Sequence, residues 1–159
     1  MSAALGREVG LWGARDEVFG RLAGVWRFKR HIIPYGTVSG SAALTSGRDG
    51  RLSYLEQGWL HLPDGQILKA TRRYHFEKSL AGFTVLYAED PPRVFHRIAL
   101  HEENQIWAGV ALHICGADHY QSRYDFHTEG SFVVRHVVRG PAKDYSMTTH
   151  YTAQRALFL

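Results

Sequence analysis

Short stretches in which polar and apolar residues alternate recur along most of the chain, and they constrain the fold more than any other feature. Such a period of two is typical of strands with one buried face. The linking sequences are rich in Gly, Pro and Asp, which suit tight hairpin turns. We therefore predict an all-β chain of about ten short antiparallel strands, at 26–31, 37–46, 51–61, 66–77, 82–88, 93–101, 106–115, 118–127, 131–139 and 144–154.

Only one segment, just before the first strand, has a helical pattern. Asp16 can cap a helix there, and Val18, Phe19 and Leu22 fall on one helical face. The chain has 159 residues, which is the size of one domain. We expect one domain over 1–159 with a short N-terminal helix, and a flexible arm over 1–15.

A meander of ten strands can close into a barrel or fold into a two-sheet sandwich. Closure removes the unpaired strand edges, and a barrel of this size leaves an internal cavity. A sandwich has a dry apolar core. On the predicted inward faces, Glu56 lies among Leu52, Tyr54 and Leu60, and Arg72 lies among Ala70, Tyr74 and Phe76. A buried charge needs a partner or water, so these faces favour a closed barrel with a wet cavity.

Composition excludes several classes of protein. The net charge is +4, but the Lys and Arg residues are scattered, so we expect no nucleic-acid partner. No apolar stretch approaches the roughly 18 residues that span a membrane, and we expect no membrane partner. A single Cys, Cys115, excludes an internal disulfide. With no secretory signal visible, these features predict a cytoplasmic protein.

The segment from Phe19 to Trp26 resembles the start of lipocalin barrels, where a turn of helix leads to Gly-x-Trp and a late Arg, here Arg155, packs over the Trp. Longer stretches resemble an intracellular domain-of-unknown-function family with a lipocalin-like (calycin) barrel. They are Gly24–Trp26 with Arg30, Tyr54–Gly58, Arg72–Tyr74, Phe95–His96, His113–Tyr120, Gly140–Tyr145 and Thr149–Tyr151. The resemblance implies a fold, but it brings no activity with it.

Two pairs with a spacing of two place a cation beside a phenol on one strand face: Arg72 with Tyr74, and Lys143 with Tyr145. Such a pair suits a carboxylate or phosphate. It is similar to the Arg-x-Tyr pair on the last strands of fatty-acid-binding proteins. Alternatively, Lys143 caps the barrel mouth and pairs with a carboxylate such as Glu56.

These features favour a binding protein whose cavity holds a small, largely apolar molecule with an anionic group. Aromatic walls would bury the apolar part, and no cofactor is expected. The candidate ligand-binding residues are Trp26, Arg30, Tyr54, Glu56, Arg72, Tyr74, His96, His113, Tyr120, Lys143, Tyr145 and Tyr151.

His113, Cys115 and Asp118 bring three reactive residue types together. They could hold zinc or iron, or form a Cys–His nucleophile, but side chains two apart on one strand converge poorly. We favour a polar network without metal, in which Asp118 orients His113 beside Tyr120. As an alternative function, these three would be the catalytic residues of a cofactor-independent hydrolase or isomerase.

Two further possibilities remain open. Of the other histidines, only His96 and His136 could point inward, and one of these could ligate haem in an intracellular barrel. An apolar patch of Leu5, Leu11 and Trp12, together with the tail 156–159, would suit an interaction module or a homodimer.

Overall fold

All strands that the structure describes belong to one antiparallel sheet. The structure is a computed structural model, and it describes residues 7–154. Two 3₁₀ turns at Gly10–Trp12 and Arg15–Glu17 lead into helix α1 at Val18–Arg21. The strands are β1 Gly24–Ile33, β2 Gly36–Ser46, β3 Leu52–His61, β4 Ile67–Lys78, β5 Gly82–Tyr87, β6 Arg93–Ala99, β7 His101–Glu103, β8 Ile106–Cys115, β9 Asp118–Phe126, β10 Phe132–Arg139 and β11 Asp144–Ala153.

The strand order is β6-β5-β4-β3-β2-β1-β11-β10-β9-β8-β7, so the first and last strands pair with each other. The two outermost strands, β6 and β7, follow one another in the chain and are separated only by Leu100. The Leu100 amide donates to the Ala81 carbonyl at 2.8 Å, and its side chain is buried. The strand predicted over 93–101 is therefore interrupted at Leu100, because β6 ends at Ala99 and β7 begins at His101.

The sheet curls until its two ends meet, where β8 passes close to β6. Gly109 permits this approach, because a Cβ there would lie 2.3 Å from Ile98 Cγ2 and 3.1 Å from the Ala99 carbonyl oxygen. The prediction of an all-β antiparallel barrel with one short helix is confirmed, and the barrel is nearly closed. Among the described residues, no helix is long and apolar enough to cross a membrane.

The N-terminal segment covers one end of this barrel, which we call the closed end. Trp12 is 2% exposed, stacks on Trp26 with ring centroids 5.8 Å apart, and donates to the Ser131 carbonyl at 3.2 Å. The Leu11 amide donates to the Thr128 carbonyl at 2.9 Å. Residues 7–15 thus pack on the barrel rather than forming the arm we expected.

Trp12 is therefore not part of the predicted exposed patch. Burying its indole in an aromatic core stabilises the fold more than a surface position would. Leu11 remains 57% exposed. Leu5, Arg155 and 156–159, on which other predictions rested, lie outside the described residues.

Burial confirms the predicted inward faces on β1, β3, β9 and β11, whereas Leu68 and Arg72 on the predicted inward face of β4 are exposed. Trp26, Phe28 and Arg30 on β1 are buried, while Arg27 and Lys29 between them are exposed. Tyr54 and Glu56 on β3, Tyr124 and Phe126 on β9, and Met147 to Tyr151 at alternate positions on β11 follow the same rule. Alternation therefore directs the polar residues Arg30 and Glu56 into the barrel.

Candidate functional site

A cavity with both apolar and polar lining residues lies inside the barrel, beyond the closed end. Its volume is about 40 Å³, which is room for two or three water molecules. The lining residues come from most of the strands: Arg30, Leu44, Tyr54, Glu56, Arg72, Tyr74, Phe76, Val85, Phe95, His96, Tyr124, Phe132, Val134, His136, Thr149 and Tyr151.

An ion pair between Arg30 and Glu56 forms one wall of the cavity. Arg30 Nη1 and Nη2 donate to Glu56 Oε2 and Oε1 at 2.7 and 2.8 Å, and Nε donates to Thr149 Oγ1 at 2.8 Å. The guanidinium also lies over the Phe28 ring, 5.0 Å from its centroid. Both charged side chains are almost fully buried. The two-pronged geometry compensates the desolvation of both charges.

Two tyrosine hydroxyls extend this pair. Tyr54 donates to Glu56 Oε1 at 2.6 Å, and Tyr151 lies 2.8 Å from the Tyr54 oxygen, to which it donates. Burial alone would raise the pKa of Glu56, but the hydrogen bonds and charge of Arg30 outweigh burial and lower it. Burial likewise opposes the charge of Arg30, yet the bonds to Glu56 raise its pKa. The pair is therefore ionised and internally neutral.

His96 lies on another wall of the cavity, and one of its ring nitrogens has no hydrogen-bond partner among the described residues. It is 4% exposed, and its Nε2 lies 2.9 Å from the Tyr124 hydroxyl. Its Nδ1 is buried and has no hydrogen-bond partner among the described residues. Burial, with help from His136, lowers the pKa of His96 to about 3, so the ring is neutral at pH 7. A buried nitrogen without a partner is costly and marks a place where a further polar group fits.

His136 faces His96 across the cavity, with ring centroids 5.9 Å apart. Ser122 Oγ lies 2.8 Å from His136 Nδ1 and fixes the orientation of the ring. Burial, followed by the charges of Arg30 and Arg72, lowers the pKa of His136 to about 4. Phe95 stacks on the same imidazole at 5.6 Å. The cavity thus contains two neutral imidazoles held by buried hydroxyls.

Arg72 enters the cavity from β4, directly opposite Glu56 in the strand register. Within residues 7–154 it makes no ion pair within 4.0 Å. Since Arg30 already neutralises Glu56, Arg72, whose side chain is exposed, adds a positive charge beside the cavity that no described carboxylate pairs with.

A second group of predicted residues lies at the open end of the barrel, which we call the mouth. Lys143 donates to the Tyr120 hydroxyl at 2.9 Å and lies 3.5 Å from Asp118. The hydrogen bond to Tyr120 raises the pKa of Lys143. Tyr145 and His113 are half-buried beside them, and the rings of His113 and Tyr120 are 5.9 Å apart. These side chains surround the entrance but do not line the cavity.

Several predictions at the mouth are wrong in detail. Among the described residues no hydrogen bond joins Asp118 to His113, because the carboxylate turns toward the ammonium of Lys143. Lys143 does not pair with Glu56, whose oxygens are taken by Arg30. Cys115 is exposed at the end of β8. Within residues 7–154 no three His, Cys, Asp or Glu side chains converge as metal ligands would.

Of the twelve candidate ligand residues, seven line the cavity: Arg30, Tyr54, Glu56, Arg72, Tyr74, His96 and Tyr151. Four lie at the mouth: His113, Tyr120, Lys143 and Tyr145. Trp26 lies at neither place, because it packs at the closed end, where it donates to the Leu22 carbonyl at 2.9 Å.

Sequence reasoning left Phe95, Tyr124, His136 and Thr149 out of the candidate set. Tyr124, His136 and Thr149 occupy inward positions in plain alternation, so the alternation in the sequence could have identified them as candidates. Phe95 is different, because the register of β5 and β6 shifts between Val85 and Leu86. This bulge lets the consecutive residues Phe95 and His96 both face the cavity, which no strict alternation predicts.

Comparisons with known proteins place the chain only at the level of fold and family. A family model described as "Family of unknown function (DUF6314)" matches residues 22–153. No functionally curated protein matches the sequence.

Two solved structures of β-barrels are similar in fold. One is a redesigned barrel, mFAP1, bound to DFHBI, with 12% identity, a TM-score of 0.41, and coverage of 87% of this chain and 98% of that one. The other, EF1p2_mFAP2b bound to DFHBI, has 12% identity, a TM-score of 0.43, and coverage of 88% and 98%. Both likenesses are too distant to support an inference about a ligand.

Proposed function

The chain belongs to this family of unknown function, and from the site itself we propose that the barrel binds a small, largely apolar molecule through an anionic group. The observation that carries the proposal is the unpaired guanidinium of Arg72, an exposed side chain that lines the cavity in which Arg30 and Glu56 neutralise each other. A guanidinium forms strong, two-pronged hydrogen bonds with carboxylates and phosphates. An anion at Arg72 would complete the charge balance.

The two imidazoles support the same proposal. The buried Nδ1 of His96 has no described partner, and His136 lies across from it with only its Nδ1 held by Ser122. A neutral imidazole can donate or accept through its remaining nitrogen. In our proposal an oxygen of the anionic group, or a water beside it, satisfies these nitrogens.

The size of the cavity determines where the apolar part lies. About 40 Å³ accommodates a small polar group and no more, whereas whole ligands need several hundred Å³. The apolar part would therefore extend toward the mouth past Tyr74 and Phe95, whose rings pack against each other with their centroids 6.0 Å apart. Its outer portion would contact His113, Tyr120, Lys143 and Tyr145.

A panel of acyl and aromatic carboxylic acids, each with its neutral amide, tests this proposal by thermal shift and calorimetry. We expect at least one acid to raise Tm while its amide does not. Arg72→Ala should weaken binding of that acid about 10-fold or more, because it removes a charge-assisted contact. Arg73→Ala is the matched control, since Arg73 is the next residue on β4 and is exposed.

The proposal is wrong if no acid shifts Tm, or if Arg72→Ala and Arg73→Ala bind the acid equally well. The cytoplasmic location and the homodimer expected from the sequence stay predictions.

A further inference from the structure

The outer wall of the barrel carries a second feature, unrelated to the cavity. The outward residues of β2 are small: Thr37, Ser39, Ser41, Ala43 and Thr45. Longer side chains flank them in register on the neighbouring strands. Lys29 and Trp59 lie on either side of Ser39, and Arg27 and Gln57 lie on either side of Ser41. A shallow groove therefore runs along β2, and we call it the β2 groove.

The long side chains beside the β2 groove include three cations that make no ion pair within residues 7–154. Arg27 and Lys29 form one side, and Lys69 follows Trp59 in register on the other side. The outward positions of β1, β2 and β3 contain no Asp or Glu. None of the three cations makes an ion pair within residues 7–154. Protein surfaces ordinarily intersperse both signs of charge, so this wall is complementary to an anionic partner.

The exposure of Trp59 indicates which class of anionic partner fits the β2 groove. It is 53% exposed, whereas Trp12, Trp26 and Trp107 are buried and each indole N–H donates to a carbonyl oxygen. An exposed indole between cations is a platform on which a nucleobase stacks, and every base offers the flat face that stacking requires. Serine, threonine and glutamine side chains beside it are suitable donors to phosphate and sugar oxygens.

The dimensions of the groove favour a single strand over a duplex. Its flanking strands β1 and β3 are two strand spacings apart, roughly 10 Å. Arg27 and Lys29 are two residues apart on one strand, which spaces their side chains by roughly 6.7 Å. That spacing is comparable to the distance between successive phosphates of an extended single strand. A duplex is too wide to lie between the flanking side chains.

From these observations we infer that the β2 groove binds single-stranded nucleic acid, with Arg27, Lys29 and Lys69 on phosphates and Trp59 stacked on a base. Scattered cations in the sequence argued against such a partner. Folding changes this, because residues far apart in the chain, such as Lys29, Trp59 and Lys69, become neighbours across β1 to β4.

Fluorescence anisotropy with labelled oligo(U) and oligo(dT) of about ten nucleotides tests the inference on the full chain. Three phosphate contacts predict a slope of log K against log salt of about −2, so affinity should fall roughly 20-fold between about 50 and 200 mM salt. Arg27→Ala/Lys29→Ala should lower affinity at least about 10-fold and reduce the slope to about −0.7. Arg48→Ala/Arg97→Ala is the matched control, because both arginines are exposed elsewhere on the barrel.

Tryptophan provides an independent readout of stacking. Oligo(dT) should quench the emission of Trp59, Trp59→Ala should lower affinity about 5-fold or more, and Trp59→Phe should retain most of it. Circular dichroism and Tm check that each variant is folded.

Three results would overturn the inference. The first is the absence of binding to either oligonucleotide at low salt. The second is equal affinity of the Arg27/Lys29 variant and its control. The third is tighter binding to polyglutamate or to vesicles containing phosphatidylserine than to the oligonucleotides.

Discussion

The two halves of the barrel interior are built from the same strands but bury different kinds of side chain. At the closed end, Trp12, Trp26, Phe126 and Phe132 pack edge to face or stacked at 4.8–5.8 Å, and both indole N–H groups donate to carbonyl oxygens. In the half toward the mouth, which we call the open half, the same alternation buries charged and neutral polar side chains around a cavity. The first arrangement stabilises the fold directly through apolar burial.

The open half contributes less stability than its buried area suggests. A buried ion pair such as Arg30–Glu56 roughly balances its own desolvation, and the unpartnered nitrogen of His96 costs free energy. Natural sequences tolerate such losses mainly at functional sites. The closed end therefore supplies most of the stability, whereas the open half holds the proposed binding site, and substitutions can separate the two.

The largest effect on stability is expected at the closed end. Trp12→Ala removes an almost fully buried indole from the aromatic core and should lower the free energy of unfolding by about 4 kcal/mol. Urea unfolding measures the change. Ligand affinity of the folded fraction should stay unchanged, and a selective loss of affinity would break the division between the halves.

Glu56→Gln should lower the free energy of unfolding by about 3 kcal/mol, because it leaves the buried guanidinium of Arg30 without a counter-charge. Replacing both partners, as in Arg30→Met/Glu56→Leu, should recover stability to within about 1 kcal/mol of the wild type. If the double variant were as unstable as Glu56→Gln, the pair itself would be a main source of stability.

A pH titration of stability reports on the two histidines. Their pKa values in the folded protein, about 3 for His96 and about 4 for His136, lie below the value of about 6.5 in the unfolded chain. The unfolded state therefore takes up protons first as the pH falls. Stability should be full well above pH 6.5 and should decline between about 6.5 and 4, with each of the two histidines contributing up to about 1.4 kcal/mol per pH unit.

His96→Leu should remove roughly half of this decline while leaving the carboxylate titrations below about pH 4.5 in place. Urea unfolding at several pH values measures both. An unfolding free energy that does not change between pH 6.5 and 4.5 in the wild type would contradict the burial of two neutral imidazoles.

The smallest stability effect is expected for Arg72→Ala. Arg72 is exposed enough to be solvated and makes no ion pair within the described part of the chain, so the free energy of unfolding should change by less than about 0.5 kcal/mol. The same substitution should cost most of the anion affinity. A strongly destabilised Arg72→Ala would mean that this cation supports the fold rather than a ligand.

The architecture was predictable because alternation and turn residues act locally. Inward positions on β1, β3 and β9, including Arg30 and Glu56, follow from a period of two. The break between β6 and β7 at Leu100 was not predictable, because it depends on closure of the sheet. The consecutive inward positions of Phe95 and His96 were not predictable either, because they depend on a bulge. The ion-pair partner of Glu56 was not predictable either, because strand register places Arg72 directly opposite Glu56, yet Arg30 from β1 makes the ion pair.

The most direct test of anion binding in the open half is native mass spectrometry of the protein purified from its own host, for the wild type and Arg72→Ala. We expect a bound small anion on the wild type that is reduced or absent on the variant, with both chains folded. Bare protein in both samples, or equal occupancy in both, would contradict the claim that the open half is a binding site organised around Arg72.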